Sequence, residues 1–382
     1  MIMEKILKSQ NPQDDIVETD EDTPEEYATE NASLYPENLM EQDIDIRENP
    51  YTVFELKRKC EQNKIILDPE FQRNPNIWTL EQKSKFIESI ILNFPLPYWY
   101  VKQTKKGKFI VVDGLQRTSA IRDFIDNKFK LTGLKVLPQL NDCSFDDLKE
   151  KPGDYETRIE DKKISLYVIP YSAPSNILYE IFERVNTGGT KLERQEIRNC
   201  IFTGKSTRLL KELSETDYFK QAIDHGFSEK RMKDRELILH YLAFKICNDY
   251  HQDYQGDMNK FLEDAMQKIN EMSEEQIDEL KQDFERVMKL TYDFFEQENF
   301  RLPTDRSRGK VNTIMFESIS YFFSTHDDEF LQQHKQTIQQ NFVKLRKNSE
   351  YVGSIKRVRN DKNTVIKRFD LAQKILGDVE QC

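Results

Sequence analysis

The stretch Phe109-Ile-Val-Val-Asp-Gly-Leu-Gln-Arg-Thr-Ser-Ala-Ile-Arg-Asp-Phe-Ile125 decides how the first half of this 382-residue chain folds. Its first four residues are apolar and mostly β-branched, which indicates a short buried strand. From Ala120 onward, apolar residues recur three and four positions apart, which indicates a helix. The residues from Asp113 to Ser119 lie between the two patterns. The sequence therefore predicts a strand, a tight turn and a helix in immediate succession.

The residue types at this turn suit a phosphate group. Backbone N–H groups at the start of a helix carry partial positive charge and favour an anion. Arg117 offers a fork of donors that fits phosphate. Thr118 and Ser119 add hydroxyls, and Gly114 permits a backbone conformation that other residues resist. Asp113 suits a Mg²⁺ ion on the phosphate side. An alternative interpretation is a capped helix, with Asp113 satisfying N–H groups and Arg117 in a surface ion pair.

Two further segments place a guanidinium beside an amide in a polar loop. They are Phe71-Gln-Arg73 and Arg184-Val-Asn186, and apolar residues flank both. Together with the turn at Asp113, these loops are expected to converge on one phosphate-bearing ligand. The alternative is that each arginine is a structural clamp.

The distribution of patterns along the chain predicts an α+β domain followed by an all-α helical domain. Short β-type runs occur at 65–67, 99–101, 109–112 and 164–169. After Thr207 almost every apolar stretch has helical spacing. We place the α+β domain at 51–205 and the helical domain at 206–382. Residues 1–50 contain fifteen Asp and Glu against three Lys and Arg, which predicts an acidic, disordered arm.

The net charge of -11 conceals a basic segment near the end of the chain. Residues 342–370 contain nine Lys and Arg against three Asp and Glu. Such a segment can contact nucleic-acid phosphates, and a solvated helical face is the alternative. The candidate nucleic-acid contacts are Lys356, Arg357, Arg359, Lys367 and Arg368.

Composition excludes several classes of protein. No apolar run approaches the roughly 18 residues that a membrane-spanning helix needs, and the first residues lack the pattern of a secretion signal. The five cysteines and five histidines form neither a C-x-x-C pair nor a zinc-finger spacing. We therefore expect a cytoplasmic protein with free thiols and no membrane partner.

Taken together and in this order, the motifs resemble the ParB-like DGQQR family, which includes the N-terminal domains of GmrSD-type modification-dependent restriction systems. The resemblance implies a ParB/sulfiredoxin-like α+β core. It also implies binding of a nucleoside triphosphate, hydrolysis in some members, and defence against phage or foreign DNA. The residues that match the signature turn are Asp113, Gly114, Gln116 and Arg117. Those that match the companion loops are Arg73, Arg184 and Asn186.

Two departures from the family bear on activity. Leu115 stands where the signature has its first glutamine, which puts turnover in doubt. No His-Asn-His constellation follows, so cleavage of DNA needs another site or a separate nuclease or defence-system partner. The leading hypothesis is a Mg²⁺-assisted nucleoside triphosphatase with Asp113, Gln116 and Arg117 as catalytic residues. The alternatives are a non-enzymatic DNA-binding or adaptor protein and a DNA endonuclease.

Overall fold

A five-stranded mixed sheet organises the first part of the molecule. The computed structural model describes residues 45–67, 78–174, 177–179, 181, 184, 193–224, 226–227, 232–304, 309–356 and 359–379. The strands are β1 (Arg47–Thr52), β2 (Ile65–Ile66), β3 (Trp99–Gln103), β4 (Phe109–Asp113) and β5 (Lys163–Ile169). Their order across the sheet is β1-β5-β3-β4-β2.

The centre of the sheet is the β3–β4 hairpin. The two strands pair antiparallel, and the register shifts between Tyr100 and Val101, so that Tyr100 lies opposite Asp113. The turn contains Gly107 at a φ of 76°, a left-handed conformation that glycine adopts without strain. The polar residues between the two apolar runs thus form the turn of a hairpin. β5 joins β3 in parallel on the other side, so β3 is a central strand.

The first strand corrects the predicted extent of the acidic arm. β1 begins at Arg47 and pairs antiparallel with β5, with Arg47 opposite Val168. Residues 47–50 are therefore ordered, although the sequence placed them in the disordered arm. Their side chains are mostly exposed and polar, which hides a strand at the edge of a sheet from pattern analysis.

Helices cover the sheet and make up most of the described chain after residue 193. Up to residue 201, the helices whose bounds the structure gives are α1 (Val53–Glu61), α2 (Leu80–Ile91), α3 (Leu115–Ile125), α4 (Phe145–Lys149), α5 (Tyr155–Glu160) and α6 (Arg194–Ile201). Those that follow are α7 (Lys205–Glu215), α8 (Asp217–Ala222), α9 (Lys233–Ile246), α10 (Tyr250–Asp253), α11 (Met258–Glu271), α12 (Glu274–Phe295), α13 (Thr313–Thr325), α14 (Asp328–Gln333), α15 (Lys335–Leu345), α16 (Ser349–Lys356) and α17 (Lys362–Leu376).

The two faces of the sheet bury different helices. One face packs against α1 to α5 in an apolar cluster that includes Trp99, Val111 and Phe124. The opposite face packs against α6 in a smaller cluster that includes Val112 and Ile197. Successive side chains of a strand point to opposite faces of the sheet, so the neighbouring residues Val111 and Val112 of β4 lie in different clusters. The sheet is thus covered on both sides around the end of β4.

The helices after residue 204 share a separate apolar core, which runs from Leu209 to Leu376. Within the described residues, the one β-type pairing beyond β5 is an isolated bridge between Arg301 and Val311. An α+β part followed by a helical part agrees with the predicted fold class. The ParB/sulfiredoxin likeness and the boundary at residue 205 stay predictions. No described helix has the length and apolarity to span a bilayer.

Candidate functional site

Gly114 forms the turn between β4 and α3. Its φ of 108° lies in the left-handed region, and α3 begins at the next residue with no side chain capping its N-terminus. A β-carbon at this position would lie 2.7 Å from Nε1 of the Trp99 indole, which is closer than carbon atoms normally approach. Both the backbone conformation and the contact with Trp99 therefore require glycine.

Arg117 is turned into the protein. Its Nη1 donates to the carbonyl oxygens of Pro97 and Tyr98 at 2.9 and 3.2 Å, and its Nη2 forms an ion pair with Asp113. The guanidinium carbon lies 4.4 Å from the ring centroid of Trp99, which is a cation–π contact. Arg117 is only 9% exposed.

This placement disagrees with the predicted phosphate contact of Arg117, because its donors are directed at acceptors of the protein itself. The alternative interpretation places Arg117 in a surface ion pair and Asp113 at the N–H groups of the helix. Arg117 does form an ion pair, but its partner is Asp113, the pair is partly buried, and no side chain caps α3. Arg117 therefore fixes the turn to the start of β3, and any role in ligand binding is indirect.

The hydroxyls of Thr118 and Ser119 are also buried. The indole N–H of Trp99 donates to Thr118 Oγ1 at 2.9 Å, and that hydroxyl donates to the Gly114 carbonyl at 2.8 Å. Ser119 is 1% exposed. The predicted phosphate contacts of these two residues are corrected accordingly, because both side chains lie on the face of α3 that packs against the sheet.

Gln116 connects the turn to the first companion loop. Its Oε1 accepts from the backbone N–H of Trp78 at 3.4 Å. Trp78 is the first residue described after the Phe71-Gln-Arg73 loop, so the end of that loop lies beside the start of α3. Arg73 itself lies outside the described residues.

The second companion loop starts on the opposite face of the sheet. Ile181 and Tyr100 both pack against the apolar cluster that joins β4 and β5 to α6. Arg184 is exposed, and Asn186 lies outside the described residues. Ile181 therefore lies on the side of the sheet that packs against α6, while Trp78 at the end of the first loop contacts the turn itself. Convergence of the arginines on one ligand stays a prediction.

Leu115 points into the core. It belongs to the apolar cluster formed with α1 to α5 and is 6% exposed. The position at which the family signature has a glutamine therefore contributes packing here. A glutamine at this site would have to bury its amide or rearrange the first turn of α3.

The sequence analysis missed a row of tyrosines next to the turn. Tyr98 packs on Tyr167 with ring centroids 4.6 Å apart, and Tyr100 packs on Tyr167 at 5.4 Å. Burial, together with the nearby Asp113 carboxylate, raises the pKa of Tyr100. Tyr98 is 47% exposed. The alternation Tyr98-Trp-Tyr100 could have indicated that these phenol rings share a face different from that of Trp99.

Lys102 is a second residue that the analysis missed. It lies on β3, is buried, and its Nζ donates to the carbonyl of Ile201 at 2.7 Å. Burial lowers the pKa of this amine from 10.5 to about 8, and the Cys200 thiol partly offsets that effect. The contact joins the central strand to the last carbonyl of α6, where a cation is favoured.

We expect Lys102→Met to change how stability depends on pH. Because the folded protein holds this proton less tightly than the unfolded chain, the unfavourable burial of charge is fully present below pH 8 and disappears above 10.5. Wild type should therefore gain stability relative to the variant across that window, by at most about 1.4 kcal/mol per pH unit. Urea unfolding at several pH values measures the difference.

The exposed Lys85→Met provides the control for this experiment. No comparable burial applies to Lys85, so wild type and the control should keep a constant difference between pH 8 and 10.5. If the free energies of unfolding of wild type and Lys102→Met also kept a constant difference between pH 8 and 10.5, Lys102 would not be a buried amine with a lowered pKa.

Of the five candidate nucleic-acid contacts, three are exposed, one is buried and one lies outside the described residues. Lys356, Arg359 and Lys367 are exposed, and Lys367 pairs with Glu350 at 3.0 Å. Arg357 lies outside the described residues.

Arg368 disagrees with the prediction because it is fully buried among the last helices. Its Nη2 donates to the Arg359 carbonyl at 3.2 Å and its Nη1 lies 3.7 Å from Glu317 Oε1. It therefore holds the helical core together and does not face a ligand.

A protein-held Mg²⁺ finds little support in the residues at the turn. Asp113 is committed to Arg117, and the described part of the chain contains no group of three His, Cys, Asp or Glu that could hold a metal. A DNA endonuclease activity stays a prediction. No step of the function proposed below is routed through a metal.

Residues 53–203 match the family model described as GmrSD restriction endonuclease, N-terminal domain. The matched segment contains α1 to α6, strands β2 to β5 and the whole turn at Gly114. This confirms the resemblance predicted from the motifs of the sequence. Neither the curated proteins nor the solved structures gave a match to the chain.

Proposed function

Because residues 53–203 form a GmrSD-type N-terminal domain, we propose that the protein is a nucleotide-binding component of a restriction-type defence system. The observation that carries this proposal is the start of α3. The helix begins immediately after β4, its N-terminus has no side-chain cap, and Gly114 presents no side chain there. Such a terminus offers backbone N–H groups and partial positive charge to a phosphate.

The role of Arg117 in this proposal differs from the one predicted from the sequence. The guanidinium fixes the turn from inside by joining Asp113 to the carbonyls of Pro97 and Tyr98. A turn held in this way loses little further freedom when an anion binds, which favours binding. Backbone N–H groups, and not the Arg117 side chain, would then contact the phosphates.

Hydrolysis is the second part of the proposal. Gln116 and Asp113 are the polar side chains of the turn that remain partly exposed. Gln116 would orient the attacking water, as an amide does in other phosphoryl-transfer sites. The Asp113 carboxylate, 32% exposed, would accept a hydrogen bond from that water.

We expect Gln116→Glu to weaken nucleotide binding strongly while leaving the fold intact. The carboxylate can still accept from the Trp78 N–H. A negative charge at a helix N-terminus stabilises the helix, by about 0.3 to 1 kcal/mol. The same charge repels a phosphate, so the affinity for ribonucleoside triphosphates should fall at least about tenfold. Isothermal titration and phosphate release, measured on the same samples, provide the readouts.

The matched control is Gln267→Glu, which makes the same change at an exposed position of α11. It should bind and hydrolyse nucleotide like wild type. Equal affinity of wild type and Gln116→Glu would reject the phosphate site at α3. If wild type binds nucleotide without releasing phosphate, the site is supported and hydrolysis is rejected. The replacement of the signature glutamine by Leu115 makes this second outcome a specific alternative.

A further inference from the structure

A basic cleft lies in the helical part of the protein, outside the matched family segment. Its volume is about 640 Å³, and the end of α15, the following turn and the end of α17 line it. Three lysines border it, namely Lys344, Lys347 and Lys374. Asp378 is the one carboxylate among the residues that line it, so the lining carries a net positive charge.

The base of this cleft is held by a buried amide. Asn341 is 1% exposed, and its Nδ2 donates to the backbone carbonyl of Asp378 at 2.9 Å. Its Oδ1 accepts from Lys344 Nζ at 2.8 Å. One buried side chain thus joins α15 to the residues after α17 and holds one of the lysines in place. The cleft is therefore a structured feature rather than a chance grouping of surface lysines.

The three lysines differ from their basic neighbours in their partners. Lys367 pairs with Glu350, Arg346 pairs with Glu298, and Arg368 is buried beside Glu317. Lys344, Lys347 and Lys374 are exposed and form no ion pair with a carboxylate in the part of the chain that the structure describes. Their charges therefore remain available to an anion from solution.

We propose that this cleft binds adjacent phosphate groups of a polyanion. A lysine is a point charge on a flexible stem, so three of them neutralise neighbouring phosphates without the planar recognition that arginine provides. The contacts are therefore independent of base sequence. The phosphates can belong to a nucleic-acid backbone or to a free polyphosphate, and the ligand chemistry is the same for both. This site is distinct from the nucleotide site proposed at α3.

The test compares two triple variants, both in the Gln116→Glu chain so that the turn at α3 does not contribute. The first, Lys344→Gln with Lys347→Gln and Lys374→Gln, neutralises the cleft. The second, Lys356→Gln with Arg359→Gln and Lys367→Gln, removes the same charge from the exposed residues that the sequence nominated. The six positions are exposed, so both variants should unfold at the temperature of the parent chain, which a thermal scan checks.

The probes are inorganic triphosphate and a short DNA duplex of arbitrary sequence, with affinity measured over a range of salt concentrations. The cleft variant should lose at least about tenfold in affinity for one or both probes. For the duplex, the slope of log affinity against log salt should decrease by up to about 2.7, because three phosphate contacts are lost. The comparison variant should change affinity by less than about twofold.

The two probes separate the sources of the phosphate. A loss confined to the duplex assigns the cleft to a nucleic-acid backbone, and a loss confined to triphosphate assigns it to a free anion. An equal loss in both triple variants, no loss in the cleft variant, or no binding of either probe to the parent chain would overturn the proposal.

Discussion

Replacing Gly114 by alanine is expected to destabilise the protein by about 3 kcal/mol, since backbone strain and overpacking each contribute about 1 to 3 kcal/mol. The φ of 108° is unfavourable for any residue with a β-carbon. The added methyl group would also collide with the Trp99 indole, whose buried ring cannot move away without disturbing its hydrogen bond to Thr118. Urea unfolding at neutral pH measures the loss.

Gly107→Ala is the matched control for this prediction. Gly107 also has a positive φ, 76°, but a β-carbon there would meet no atom within 4 Å. This variant should lose only the cost of the backbone conformation, about 1 kcal/mol. The difference between the two variants isolates the contact with Trp99. If both lost the same stability, the close approach of the turn to the indole would be refuted.

Replacing Arg117 by alanine is expected to destabilise the protein by about 2 kcal/mol, because it leaves the partly buried Asp113 carboxylate and two backbone carbonyls without their donor. The carbonyls of Pro97 and Tyr98 would lose their donor, and the Trp99 ring would lose its cation. Arg117→Lys should lie between wild type and alanine, since a single ammonium cannot reproduce the fork. Urea unfolding of the three proteins measures this order.

The control is Arg208→Ala, which removes an exposed arginine paired with Glu274 at 2.9 Å. Surface pairs of this kind contribute about 0 to 1 kcal/mol, so the change should be small. Should Arg117→Ala retain wild-type stability and lose nucleotide binding, the phosphate contact predicted from the sequence would be restored and the clamp rejected.

The local structure around the turn was predictable from the sequence. A continuous apolar run followed, after Asp113, by apolar residues three and four positions apart indicates a strand and then a helix, and both are present. Thr79 and Gln82 have the spacing of a capping box in the sequence, and they form one at the start of α2. These features depend on residues close together in the chain, which a single sequence contains.

The direction in which side chains point was not predictable in the same way. Arg117 turns inward because Trp99 and the carbonyls of Pro97 and Tyr98, about twenty residues earlier in the chain, receive it. Arg368 is buried because Glu317, about fifty residues earlier, provides a carboxylate in the core. A basic residue in a charged stretch resembles a surface residue until its distant partner is known.

The predicted start of α6 shows the same dependence on context. In the sequence, Thr190 with Glu193 has the spacing of a capping box and favours a helix from Leu192. The helix instead begins at Arg194, and Glu193 and Glu196 form the capping box. Thr190 lies outside the described residues. Both choices satisfy the local rule for a helix start, so the rule alone could not distinguish them.

Hydrogen–deuterium exchange of the amides from Leu115 to Arg117, with and without a saturating ribonucleoside triphosphate, tests most directly whether α3 binds phosphate. The first amides of a helix have no intrahelical acceptor and should exchange readily in the free protein. The account predicts that nucleotide slows their exchange in wild type and leaves it unchanged in Gln116→Glu. Unaltered exchange of this segment while the nucleotide is bound would contradict it.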